Sequence, residues 1–254
     1  MGNGARPFLF AWHFLTAVPL SRDHHAPTAI ELAASMAWYP LVGFLIGGVL
    51  VLADAGLSRV FAGAVVQALL MALTVVLTRG LHQDGLADTL DGLAGGRTPV
   101  ERLPIMRDPR IGAAGATGLA LSLLLRYAGL TALPDEWRGP VLWCMPAIGR
   151  WAMVVLAWAS PYARAEGGLA APFLTHLART HVLVSTALLA AGLTLACGGA
   201  GALGVLVCAA GLLVVLWQAG RRWFGGMTGD TLGATNELIE ILFLLLVPLL
   251  GARA

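Results

Sequence analysis

The sequence predicts an all-α, polytopic integral membrane bundle of about seven transmembrane helices, and three observations lead there. Of 254 residues, 58% are hydrophobic and only 12% charged, where an ordinary soluble domain carries about 45–50% apolar and about 25% charged residues. Several apolar runs approach the roughly 20 residues that a helix needs to cross about 30 Å of hydrocarbon. Basic residues, all sixteen of them Arg, collect in alternate connecting segments. Ala, Leu, Val and Gly dominate, which suits close helix packing through small residues.

Taken in order, residues 1–20 carry one Arg and then an apolar stretch interrupted by Trp12, His13 and Thr16. That pattern predicts an interfacial helix in preference to a cleavable signal, because no small-x-small site precedes Ser21. Spans are expected at residues 36–55, 60–78, 113–133 and 140–159. Residues 182–218 are too long for one crossing, and the Cys-Gly-Gly-Ala-Gly sequence at 197–201 supplies a break between two. A short last span follows at 238–250. With no extramembrane stretch long enough for a second unit, residues 1–254 read as one membrane-embedded domain. Cys144, Cys197 and Cys208 lie in apolar stretches without ligand spacing, and are read as packing residues. No basic run interleaved with aromatics supports nucleic-acid binding.

Threading seven spans places Arg6, Arg22, Arg79, Arg97, Arg102, Arg107, Arg110, Arg164, Arg179, Arg221 and Arg222 on one side. Arg59, Arg138 and Arg253 fall on the other. The positive-inside rule makes the Arg-rich side cytoplasmic, with the N-terminus inside and the C-terminus outside.

Three segments on that side carry chemistry. The first, residues 81–92, continues the second span and holds Asp84, Asp88 and Asp91. Offsets of four and seven residues rotate by about 40° and −20° on a helix, so these carboxylates share one face. Three adjacent acids at a membrane edge call for a cation, and hard oxygen donors suit magnesium or manganese. The bland alternative is a solvated helix end. His82 adjoins the stripe as a hydrogen-bonding candidate. The second segment places Asp108 between Arg107 and Arg110, ahead of Gly112 and Gly115. Guanidinium forks match phosphate oxygens, Asp108 offers a metal ligand or general base, and glycines at a helix start allow close anion approach. The third runs from Gly225 to Glu240 and gathers Thr228, Asp230, Asn236 and Glu237 at the start of the last span. It reads as a phosphate- or metal-holding loop, or more plainly as Asp230 capping a helix. Within the spans, Arg150 follows Pro146 and Gly149 and reads as lining a polar cavity, while Arg126 either snorkels or pairs with an acid. His24 and His25 read as loop residues.

These motifs together resemble the adenosylcobinamide-GDP ribazoletransferase family, also called cobalamin 5′-phosphate synthase. The likeness rests on residues 14–19, 39–43, 82–92, 106–112 and 226–240, in the same order over nearly the whole chain. It implies a late step of cobalamin biosynthesis in the cytoplasmic (inner) membrane. There α-ribazole, or its 5′-phosphate, attacks adenosylcobinamide-GDP and releases GMP with Mg2+ present. A wider likeness is to CDP-alcohol phosphotransferases, whose signature begins Asp-x-x-Asp-Gly, as do Asp88, Asp91 and Gly92. It stops there, since Arg97 is displaced by one position and no later Asp-x-x-x-Asp appears, Asp108 alone offering a carboxylate in its place. The expected site therefore has Asp84, Asp88, Asp91, Asp230 and Glu237 as metal ligands, with Asp88, Asp91 and Asp108 catalytic. Arg107, Arg110, Arg150, Thr228, Asn236 and His82 would contact substrate. Partners are the two substrates and the lipid bilayer, and a homo-oligomer stays open. The competing class, a cation-coupled transporter, expects acids spread through the bilayer depth.

Overall fold

The computed structural model describes residues 6–21 and 26–251, with side chains to Val247. Arg22, His24, His25 and Arg253 lie outside the described residues. Helix follows helix throughout: α1 Arg6–Leu15, α2 Ala29–Ser35, a 3-10 turn Met36–Trp38, α3 Tyr39–Leu57, α4 Gly63–Thr78, α5 Leu81–Gly95 and α6 Pro99–Ile105. Then come α7 Ala113–Ala132, α8 Asp135–Ala159, α9 Ala171–Thr175, α10 Arg179–Phe224 and α11 Gly229–Gly251. Among the described residues the one β feature is an isolated parallel bridge between Tyr162 and Met227.

Helix α8 is the central post. Its Leu142, Ile148, Arg150 and Leu156 are almost fully buried. Helix α3 lies against it through Gly43 and Gly47, one helical turn apart. A Cβ at Gly43 would come within 2.6 Å of the Pro146 carbonyl, and one at Gly47 would strike the carbonyl of Trp143. Such small-residue contacts let two backbones touch where lipid supplies no hydrophobic drive between helices. Gly149 instead makes room for side chains of α11, since a Cβ there would lie 2.5 Å from the Asn236 side-chain oxygen. The outward faces are apolar, with Leu52, Leu195 and Val207 widely exposed.

Among the described residues, four segments are long and apolar enough to cross a membrane: Ala29–Leu57, Ala113–Ala132, Asp135–Ala159 and Arg179–Phe224. A fifth arises if the bent pair α4 and α5 is one broken span. Four or five spans are thus counted where seven were expected: α10, 46 residues long, counts once although it is broken within, and α4, at 16 residues, counts only together with α5. The break expected at 197–201 is present, since Gly198 is non-helical (φ 72°) inside α10. Residues 81–92 do not continue the second span as the sequence suggested. Arg79 (φ 57°) and Gly80 (φ 66°) both adopt the left-handed conformation, and α5 leaves α4 at 89°. A left-handed Arg costs roughly 1–2 kcal/mol, and here its guanidinium is anchored on the His13 carbonyl at 3.1 Å. This corner turns the carboxylate-bearing helix across the bundle toward the start of α11.

Candidate active site

Helix α5 meets α11 at Gly85. A Cβ there would lie 2.7 Å from the Asp230 carbonyl oxygen, 3.1 Å from the Asp230 Cα and 3.2 Å from the Gly233 Cα. Glycine at this position lets the two backbones touch, and the contact brings Asp230 beside the α5 acids. Asp88 is in electrostatic reach of Asp84, Asp91, Asp230 and Arg164. Among the described residues, neither the Asp84 nor the Asp88 carboxylate accepts a hydrogen bond or forms an ion pair.

Asp91 shares their face but has a different occupation. Its Oδ2 accepts the Gly112 N–H and its Oδ1 the Gly115 N–H, both at 2.7 Å. The helix start that the sequence suggested for a substrate phosphate is therefore filled by this carboxylate, which satisfies two of the amides that open α7. A Cβ at Gly112 or Gly115 would collide with Asp91. The glycines serve that clasp.

Asp230 accepts from Arg164 Nη2 at 2.8 Å. Arg164 was not singled out in the sequence beyond its charge. Its loop is pinned by the bridge at the start of α11, where Met227 N–H donates to the Pro161 carbonyl at 2.9 Å and Ala163 N–H to Met227 at 2.8 Å. The helix cap is Thr228 and not Asp230: Thr228 Oγ1 accepts the Thr231 N–H at 3.1 Å, and Thr228 N–H donates to Thr231 Oγ1 at 2.8 Å. Thr228 is fully buried in that role.

Arg107 reaches into the same loop, pairing with Glu166 at 2.9 Å and donating to the Gly167 carbonyl at 3.2 Å. Arg110 instead forks onto Asp108 at 2.9 and 2.6 Å. That hydrogen-bonded guanidinium holds the Asp108 carboxyl at about 2, well below the usual range. So weak a base is poorly matched to proton abstraction near neutral pH.

Arg150, Asn236 and Glu237, expected at the substrate, sit inside the bundle. Arg150 Nη1 contacts Glu240 Oε1 at 2.5 Å and the Pro146 carbonyl at 3.0 Å. Asn236 Nδ2 donates to Glu240 at 2.9 Å. Arg126 bridges Glu237 at 2.9 Å and Glu240 at 2.7 Å, so the pairing alternative for Arg126 is the one seen. Two guanidinium groups and two carboxylates thus neutralise one another, which charges removed from water require. Glu237 is accordingly joined to this network and stands apart from the α5 acids.

Among the described residues, no three His, Cys, Asp or Glu side chains converge closely enough to enclose a metal ion. Magnesium seldom needs such a cage, for it keeps several waters and takes one or two carboxylates plus substrate phosphates. The free carboxylates of Asp84 and Asp88 fit that demand.

The sequence profile of the cobalamin-5-phosphate synthase family matches residues 7–248. The chain belongs to that family. An adenosylcobinamide-GDP ribazoletransferase of Syntrophobacter fumaroxidans is 46% identical over 85% of this chain and 87% of its own. Proteins of the same name from Ectopseudomonas mendocina and Pseudomonas syringae pv. syringae are 41% and 39% identical, covering 94% and 96% of this chain and 97% and 99% of theirs. No solved structure matches the chain, so the likeness to CDP-alcohol phosphotransferases rests on Asp88, Asp91 and Gly92 alone.

Proposed function

We propose that this protein is an adenosylcobinamide-GDP ribazoletransferase whose reaction takes place where α5 crosses the start of α11. The observation that carries the reading is the pair of unpartnered carboxylates, Asp84 and Asp88, facing Asp230 in a membrane bundle of this family. A hydroxyl of α-ribazole, or of its 5′-phosphate, attacks the phosphorus bearing the cobinamide. The new P–O bond forms, the bond to the guanylate oxygen breaks, and GMP leaves. The hydroxyl proton passes to the α5 carboxylate face.

Asp84 and Asp88 would hold a hydrated magnesium ion between the protein and the diphosphate. When bound, such an ion offsets the charge that gathers on the transferred and leaving oxygens. Arg164 orients Asp230 and keeps it from adding a further unbalanced charge, and Arg107, from the segment between α6 and α7, reaches the Arg164 loop at Glu166 and is exposed enough to meet phosphate. Asp91 holds the start of α7 against α5 and so fixes the face from which the other two acids project.

A cation-coupled transporter is not supported. The deeply buried acids Glu237 and Glu240 are each paired with Arg, so they form no relay of free carboxylates through the bundle. The excess of Arg on one side supports an orientation with the site facing the cytoplasm in the inner membrane. Purified protein should release GMP when given both substrates and magnesium, and no release would reject the reading. In a variant freed of its three native cysteines, Arg97→Cys, at an exposed position, should be labelled only from the cytoplasmic side. Labelling only from the opposite side would reverse the orientation.

A further inference from the structure

Beside Asp84 and Asp230 lies a cavity of about 170 Å³ whose walls come from α1, the start of α3, α5, α8, α9 and the start of α11. Phe14, Tyr39, Met153 and Phe173 make it strongly apolar. The Phe14 ring stands 4.7 Å from that of Phe173 and 6.3 Å from that of Tyr39, so its aromatic wall is continuous. His82 lines the same space, is 2% exposed, and has its Nε2 buried without a partner. A buried polar atom left unmatched costs free energy that a ligand atom can recover.

We propose that this cavity is the subsite for the heteroaromatic base of the acceptor nucleoside, with His82 Nε2–H donating to the ring nitrogen that carries no sugar. The assignment rests on the transferase reading above and names the part of the substrate that this side of the site takes. Size argues for it. A dry cavity of about 150 Å³ accommodates a benzene ring, whereas pockets that enclose whole drug-sized ligands run to roughly 300–1,000 Å³. The space therefore suits a compact fused ring and excludes a corrinoid. Polarity favours such a ring over guanine, whose edges present several donors and acceptors: apart from the Asp84 and Asp230 carboxylates, assigned above to the reacting phosphates, the one buried side-chain atom of the lining without a partner among the described residues is His82 Nε2. Position completes the argument. Asp84, Gly229 and Asp230 also line the cavity, so a base seated inside delivers its ribose to the carboxylates at which phosphoryl transfer occurs. Aromatic walls favour stacking against a flat ring.

The test is calorimetric binding to purified protein in lipid nanodiscs, with each ligand alone. Gly229→Leu fills the cavity, since a Cβ at Gly229 meets only the Ala170 Cβ at an ordinary 3.5 Å. The wild type should bind ribazole and its free base competitively at one site. Gly229→Leu should weaken both by at least about tenfold and leave the GDP-activated donor within about twofold. His82→Phe should weaken ribazole about tenfold, yet leave unchanged an indole nucleoside in which C–H replaces the free ring nitrogen. Unaltered ribazole binding in Gly229→Leu would overturn the proposal, as would equal weakening of donor and acceptor, or equal effects of His82→Phe on the two nucleosides. Failure of the transferase reading looks different: ribazole and its base would bind with the stated variant pattern while no GMP was released with both substrates present.

Discussion

Replacing Gly85 with Ala adds one methyl group at the place where α5 and α11 touch. That methyl would sit 2.7 Å from the Asp230 carbonyl oxygen and 3.1 Å from its Cα, both backbone atoms that no rotamer change can move. Ordinary van der Waals contact begins near 3.4 Å, so the helices must part by well over half an ångström. Overpacking of this kind costs about 1–3 kcal/mol of stability. The functional cost is larger, because a displacement of about 1 Å at a reacting centre can lower the rate about a hundredfold. We expect Gly85→Ala to remain folded in detergent by circular dichroism and size exclusion, but to release GMP between about ten- and a hundredfold more slowly. Gly48→Ala, on a lipid-facing part of α3 with nothing within 4 Å of the added Cβ, is the matched control. It should retain full activity and gain roughly 0.5–1 kcal/mol from the better helix former. Wild-type turnover in Gly85→Ala would show that the α5–α11 contact does not set the reaction geometry.

Asp91→Ala should destabilise the fold by about 2–4 kcal/mol, because it leaves the Gly112 and Gly115 amides without their charged acceptor. Asp91→Asn should recover part of that loss, and urea unfolding in mixed micelles reads both. Arg126→Leu removes the cation shared by Glu237 and Glu240, so a loss of about 3–5 kcal/mol is expected in the same assay. A loss below about 1 kcal/mol would mean that the buried acids are neutral without it. Arg164→Gln should loosen Asp230 and raise the KM for the GDP-activated substrate severalfold, measured from GMP release.

Much of this arrangement was legible in the sequence because helical geometry is local. Spacing alone placed Asp84, Asp88 and Asp91 on one face, and the glycine run at 197–201 announced the break found at Gly198. What local pattern could not supply was partnership. Asp91 looks like its neighbours until α7 folds back and offers two amides, and Arg150 looks like a cavity residue until Glu240 arrives from α11. The corner at Arg79 was hidden because a non-glycine residue there gives no turn signal, although Gly80 beside it is a weak one. Arg164 went unnoticed for a similar reason. Its importance comes from the pairing of residues 161–163 with Met227, a contact between segments more than sixty residues apart. The Arg-Asp-Pro-Arg motif carried a different lesson, since Arg110 lies close enough to Asp108 in sequence to neutralise it directly.

In the reaction proposed above, Asp84 and Asp88 are the working carboxylates of a divalent-cation-assisted transfer. Its most direct test is GMP release by purified Asp84→Asn/Asp88→Asn, titrated with magnesium beside the wild type. Wild-type release should disappear with a chelator and return with magnesium, while the folded double variant stays at about 1% of that rate or less at every magnesium concentration. Near-wild-type release by the double variant would contradict it.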